Sequence, residues 1–211
     1  MARGKREQNK QANRKAILEA AQRVFLQHGY DGVTIRDVVR QTELATGTFY
    51  NYFRTKEELL RALIEDHVQA LTAELRRVRG AARSLDEFVQ GAYLAAFTAV
   101  AEDPVLYNLM IRNETAVRSL YAESVMGLST KALREDIQDA IRRGIMPPLD
   151  AGYLAAAFFG AGYEMGRILA ESPKKDPAAA AAFATRLFLG GVHAFASDKV
   201  TTMKPRVRAA V

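Results

Sequence analysis

Between Thr34 and Lys56 the chain gathers most of the side chains that could act on a partner. They are the hydroxyls of Thr34, Thr46, Thr48, Tyr50 and Thr55, the amide of Asn51, and the cations of Arg36 and Lys56. Such donors suit phosphate oxygens and base edges, and Gly47 lacks the side chain that would hold a backbone away from a groove. None is a nucleophile with a base beside it. His28, His67 and His193 lie far apart, without the His-x-x-x-His or carboxylate spacing that a metal requires. Gly160 to Gly166 reads GxGxxxG in a helical pattern with no strand before it, and Tyr163-Glu164-Met165 contains no nucleophile elbow. The absence of cysteine excludes disulfides, thiolate metal sites and a thiol nucleophile, and fits a reducing cytoplasm. The chain is therefore expected to bind rather than to catalyse, with no metal and no cofactor.

Short rigid elements must position that surface. Thr34 can accept from the N–H three residues on, Asp37 can reciprocate, and Val33 with Val38 can form a hydrophobic staple. A short helix is expected there, then a turn over 41–44, then a second short helix to about residue 51. Two such helices form a helix-turn-helix, whose second helix enters the major groove of DNA. The pair cannot bury a core alone. A helix over 13–28, with Ala16, Ile17, Ala20, Ala21, Val24 and Phe25 on one stripe and Gly29 as its stop, is expected to close it. Leu59, Leu60 and Leu63, opening a long helix over 55–79, complete the closure, with Phe49, Tyr52 and Phe53 as wedges. Thr34 and Thr55 stand at helix N-termini, where free N–H groups bind phosphate. Lys56, in a first turn, opposes the helix dipole and so has a reason to face an anion. Read alone, an aromatic and Thr-rich helix is as consistent with ordinary core.

Further helices are expected over 85–102, 104–120, 130–143, 149–171 and 176–197. That makes an all-α chain of about nine helices and no sheet. Ser84 with Glu87 and Pro104 mark helix starts, and Gly144 and Pro147-Pro148 mark a break. The apolar stretches 149–163 and 177–196 are interrupted by Asp150 and Arg186 and read as buried helices rather than membrane spans.

Charge divides the 211 residues. Residues 1–56 hold eleven basic and five acidic side chains, the whole of the chain's net +6, while 57–211 hold 19 of each sign. Excluding Lys199, Lys204, Arg206 and Arg208, the stretch 57–198 nets −4. A basic end on a mildly acidic body points to a polyanion partner for that end. The division suggests a basic flexible arm over 1–12, a DNA-binding domain over 13–56, a larger domain over 57–198 and a loose basic tail over 199–211. The arm reads equally as a solubility tail.

The run Ala16-Ile17-Leu18-Glu19-Ala20-Ala21, Phe25, Gly29-Tyr30, Thr34-Ile35-Arg36-Asp37-Val38, Gly47-Thr48-Phe49-Tyr50-Asn51-Tyr52-Phe53 and Lys56-Glu57-Glu58-Leu59-Leu60 resembles the TetR family of bacterial transcriptional regulators. The match covers about residues 14–62; beyond it only length and helical pattern agree. The resemblance implies a homodimer on a near-palindromic operator, with a C-terminal domain in which a small effector switches DNA affinity. Carried over by position, Thr34, Tyr50 and Lys56 match phosphate-contacting places, and Arg36, Thr46, Gly47 and Thr48 match base-reading ones. The turn departs from the family pattern, with Glu43 where Gly is common, Ala45 where Ser often caps, and Thr46 where Lys is frequent.

The resemblance also implies that the last two helices pair across a two-fold axis. Small residues including Gly152, Gly160, Gly162, Gly166, Gly190 and Gly191 suit close approach, and Phe158, Phe159, Phe183, Leu187, Phe188 and Phe195 supply the apolar area. Leu94, Phe97, Leu106, Met110, Met126 and Tyr163 are the expected lining of an effector pocket, with Arg112, Asn113, Glu164 and Arg167 as polar groups within it. A buried arginine there would want an anion, such as an acyl or aromatic acid; the alternative is that these charges pair with one another or stay wet. Together these readings give a dimeric repressor released by a small apolar or amphipathic effector. An activator, a ligand-independent DNA binder, and a helical interaction protein gripping membrane with its basic end remain the other readings.

Overall fold

The computed structural model describes residues 2–120, 124–125 and 128–197. Ten helices run through the described residues: α1 (Ala2–His28), α2 (Ile35–Arg40), α3 (Thr46–Tyr50), α4 (Lys56–Ala81), α5 (Leu85–Glu102), α6 (Pro104–Arg112), α7 (Glu114–Leu120), α8 (Thr130–Arg142), α9 (Ala151–Glu171) and α10 (Pro177–Ser197). The one sheet among them is a two-residue antiparallel pair, β1 (Ser124–Val125) with β2 (Leu128–Ser129), so the all-α class holds. The expected tail at 199–211 and Met126 lie outside the described residues.

Two expectations are corrected. Residues 2–12 are not a separate arm but the first turns of α1. The segment has no proline, and its Ala, Arg, Lys, Glu and Gln are strong helix formers, so the helix begins well before residue 13. The segment 104–120 is not one helix: it breaks at Asn113, whose backbone sits at φ −112° and ψ 27°. Asn113 Nδ2 donates to the Leu109 carbonyl at 2.7 Å, and a new helix starts from there.

Caps fall where the side chains predict them. Gly29 takes φ 75° at the end of α1 and donates to the Phe25 carbonyl, a conformation costly for any residue with a Cβ. Ser84 accepts from the Glu87 N–H at 3.1 Å, and Asp103 accepts from the Leu106 N–H at 2.8 Å beside Pro104. At Asp103 the chain turns by 97° from α5 into α6.

In the head, α1, α2, α3 and the start of α4 close over Ile17, Ala20, Ala21, Phe25, Val38, Phe49, Phe53, Leu59 and Leu60, all buried. Ala16, expected on that stripe, is exposed. In the body α5 is central, packed against α4, α9 and α10. Its Tyr93 stacks on Phe158 of α9, the centroids 4.2 Å apart, and on Phe97 of its own helix at 5.7 Å. The long helix α4 belongs to both parts.

Candidate nucleic-acid interface and internal cavity

The first short helix is set by a complete capping box. Thr34 Oγ1 accepts from the Asp37 N–H at 3.4 Å, and Asp37 Oδ2 accepts from the Thr34 N–H at 2.9 Å and its hydroxyl at 2.6 Å. These bonds hold the Asp37 carboxyl below the usual aspartate range, with Arg40 adding to the effect. The turn that follows is organised by Thr42, whose hydroxyl donates to the Val39 carbonyl at 2.8 Å and accepts from the Leu44 N–H at 3.4 Å. The second short helix has no side-chain cap at Ala45 and is held by Phe49, fully buried, and by Phe53 just beyond it.

This arrangement leaves Thr34, Arg36, Thr46, Gly47, Tyr50, Asn51 and Thr55 exposed and Thr48 half-buried. A Cβ built at Gly47 would meet nothing within 4 Å, so no internal packing demands glycine there. Thr55 is occupied in part: it caps α4, accepting from the Glu58 N–H at 3.2 Å.

Lys56 is the exception. Its Nζ donates to the Tyr30 carbonyl at 3.0 Å and the Val33 carbonyl at 3.3 Å, and stands 4.2 Å from the centre of the Tyr30 ring. In place of the anion expected from its helix position, the ammonium is held internally by neutral carbonyl oxygens and a ring face. Tyr30, absent from the expected site, is the hub of this region. Its hydroxyl donates to Glu57 at 2.7 Å, which holds that carboxyl below the ordinary glutamate range, and its backbone N–H donates to Asn113 Oδ1 at 2.6 Å.

That last bond relocates two expected pocket residues. Asn113 is buried between head and body, and Arg112 Nη2 donates to the Gln27 carbonyl in the last turn of α1 at 3.0 Å. Both tie α6 to α1, and neither lines the cavity. Glu164 and Arg167 also leave it: they pair at 3.1 Å on the exposed side of α9, with Glu171 at 3.4 Å. Leu94 lines a separate surface groove between α4 and α5, and Leu106 packs into the core.

The cavity lies between α4, α5, α6, α8 and α9, with an internal volume of about 100 Å³. Of the expected lining, Phe97, Met110 and Tyr163 belong to it; Leu71, Leu75, Tyr93 and Val100 add to its apolar wall. Burial and a 2.9 Å hydrogen bond to Glu114 push the Tyr163 hydroxyl up to about 12. His67 and Arg79, neither of them anticipated, line it as well. Burial lowers the His67 pKa, so its imidazole is neutral at neutral pH.

Four residues expected at a subunit interface also face inward. Phe158, Phe159 and Gly162 line the cavity, and Phe188 packs edge-on against Phe158 at 5.1 Å. Gly162 and Gly166 are seats for tyrosines: a Cβ at Gly162 would lie 3.3 Å from the Tyr93 ring, and one at Gly166 would lie 2.5 Å from the Tyr107 hydroxyl. Those hydroxyls donate to carbonyls of α9, Tyr93 to Phe158 at 3.0 Å and Tyr107 to Tyr163 at 3.1 Å.

Phe183, Leu187 and Phe195 stay on the surface of α10, each more than 60% exposed, and Gly191 opens onto empty space beside them. Tyr153 and Ile168 of α9 are exposed as well. Within α10, Pro177–Phe195 is the one described helix long and apolar enough to cross a membrane. In the single chain 28% of that stretch is buried, which leaves most of the helix expected to be buried on the surface.

Residues 17–63 match the sequence model of bacterial regulatory proteins, tetR family. Across most of its length the chain is similar to the HTH-type transcriptional regulator YfiR of Bacillus subtilis, with 30% identity over 162 residues, 72% of this chain and 77% of that protein. It is 25% identical over 142 residues to the HTH-type transcriptional repressor AcnR of Corynebacterium glutamicum, covering 67% of this chain and 69% of the relative. In fold it resembles the fatty acid degradation regulator FadR of Bacillus halodurans, with TM-score 0.67, 22% identity, and coverage of 85% of this chain and 95% of that one. The ketosteroid transcriptional regulator of Mycobacterium tuberculosis is alike to the same degree, with TM-score 0.67, 21% identity, and coverage of 85% and 94%. These relatives are regulators of transcription, not enzymes. The chain belongs to the tetR family of bacterial regulatory proteins.

Proposed function

We propose that the protein is a dimeric repressor in the cytoplasm that binds a near-palindromic operator and leaves it when a small effector enters the cavity of the body. The observation that carries the DNA reading is the exposed set Thr34, Arg36, Thr46, Gly47, Tyr50, Asn51 and Thr55 on a helix-turn-helix anchored by buried Val38 and Phe49. Arg36 and Thr46 to Thr48 reach base edges, while Thr34, Tyr50 and Thr55 hold phosphates at helix ends. Two such heads in a dimer meet successive major grooves roughly 34–36 Å apart. The exposed Phe183, Leu187 and Phe195 of α10, with Tyr153 and Ile168 of α9, favour those two helices as the face between subunits.

The coupling is short. α6 lines the cavity with Tyr107 and Met110, and its end holds the head through Arg112 to Gln27 and Asn113 to Tyr30. An occupant larger than about 100 Å³ must displace that wall, and so favours a different placement of the heads. Only this difference in affinity between two arrangements, not tight binding itself, moves the equilibrium.

Selection from random duplexes followed by gel shift tests the DNA reading. A near-palindrome should be enriched, Arg36→Ala should weaken its binding, and Thr48→Ala should relax preference at one position in each half-site. Enrichment of no sequence would overturn it.

A further inference from the structure

The cavity wall is mostly apolar, with His67, Thr72 and tyrosines among its polar members, and α4 places Arg79 on it as well. Its side chain is only 7% exposed, and its Nε lies 2.9 Å from Asp136 Oδ2 of α8. The two atoms are close enough to pair electrostatically but misaligned for a hydrogen bond, and both are buried without one. A guanidinium presents five N–H donors in a planar fork, and here its Nε is a buried donor that faces a carboxylate without a hydrogen bond, a costly state in an apolar setting. Asp136, by contrast, is 31% exposed and has a way out to water. With His67 neutral, Arg79 is the single cation among the lining residues.

We propose that Arg79 is the anion-recognition residue of this cavity, taking the carboxylate of a monocarboxylic acid with a compact apolar body in exchange for Asp136. This rests on the reading of the cavity as the effector site. The exchange conserves charge: one carboxylate leaves the guanidinium for solvent, another arrives with both oxygens free to take the fork, and no unpaired ion stays buried. A doubly charged phosphate would bury one negative charge beyond what Arg79 can match. Size narrows the body. A cavity of roughly 150 Å³ elsewhere accepts benzene, so about 100 Å³ admits a phenyl ring or short chain once the wall gives slightly. The same exchange would break the tie between α4 and α8.

Calorimetric titration of the full chain with two matched pairs, phenylacetate against 2-phenylethanol and hexanoate against hexanol, tests the assignment. The wild type should bind at least one acid tenfold or more tighter than its alcohol. Arg79→Gln should abolish that preference. Asp136→Asn, which removes the competing carboxylate, should tighten acid binding several-fold and decides the matter should Arg79→Gln fail to fold. Equal affinity for acid and alcohol, a preference retained in a folded Arg79→Gln variant, weaker acid binding in Asp136→Asn, or no binding by any probe would overturn the proposal. Operator affinity measured in parallel separates the two readings. An acid bound through Arg79 that leaves DNA affinity unchanged supports this site and sinks effector control; DNA release by an alcohol as readily as by its acid does the reverse.

Discussion

Asn113 shows how much a single amide can carry. It accepts from the Tyr30 N–H and donates to the Leu109 carbonyl, both in the interior. Asn113→Ala would orphan a buried N–H and delete one bond, a loss of about 2–3 kcal/mol. A domain of this size should then lose roughly 2–4 °C of Tm for each kcal/mol in a thermal melt. Gly166 is limited by space instead. The Tyr107 hydroxyl occupies the place a Cβ would take, so Gly166→Ala should destabilise by about 1–3 kcal/mol through overpacking, read by denaturant midpoint. Lys56→Ala separates two roles for one cation. Because Nζ is engaged by Tyr30 and Val33, the variant should lower stability by about 1 kcal/mol, with a smaller change in the salt dependence of DNA binding than one lost phosphate contact would give. A full unit of lost salt slope would restore Lys56 to the interface. Its helix position suggests an anionic neighbour; in the folded loop its partners are two carbonyl oxygens and a ring face.

Short helices depend on their ends, and α2 is a six-residue helix. Thr34→Ala should cost about 1 kcal/mol of stability in the head and weaken operator binding, since the same variant removes the cap and a proposed phosphate contact. The box is also pH-sensitive. Thr34 holds Asp37 in its ionised form, which depresses the pKa in the folded state. Its stabilisation is therefore complete at neutral pH and is lost as pH falls through and below the ordinary aspartate range. Amide exchange at Asp37 and Val38 should quicken over that window, and Asp37→Asn should flatten the response. Caps of this kind are local, which is why Thr34, Thr55, Ser84 and Gly29 could all be placed from spacing. The break at Asn113 was not legible, because a helix-compatible stretch is interrupted there by a partner 83 residues away.

For the assembled molecule, the exposed stripe on α10 is the feature that a single chain leaves unresolved. Phe183→Glu with Leu187→Glu should convert a dimer to a monomer in light scattering and weaken operator binding sharply, while the helical signal in circular dichroism stays nearly unchanged. A dimer that survives both charges would move the interface elsewhere. The apolar residues of α9 and α10 were recognisable as a set, but not the side each takes. Phe158, Phe159 and Gly162 turn toward the cavity while Phe183, Leu187 and Phe195 turn away, because Tyr93 stacks on Phe158 and draws that face of α9 inward.

The amino-acid sequence by itself determined the all-helical class, the helix-turn-helix and its exposed donors, and the basic head, since each rests on interactions within a few residues or on composition. Tertiary structure alone decided what the charged residues of the body do. Arg112 caps α1, Glu164 and Arg167 pair on the surface, and Arg79, unremarkable in the sequence, is the arginine that reaches the cavity. Burial of a charge is a property of every helix packed around it, and no spacing along one helix can encode that.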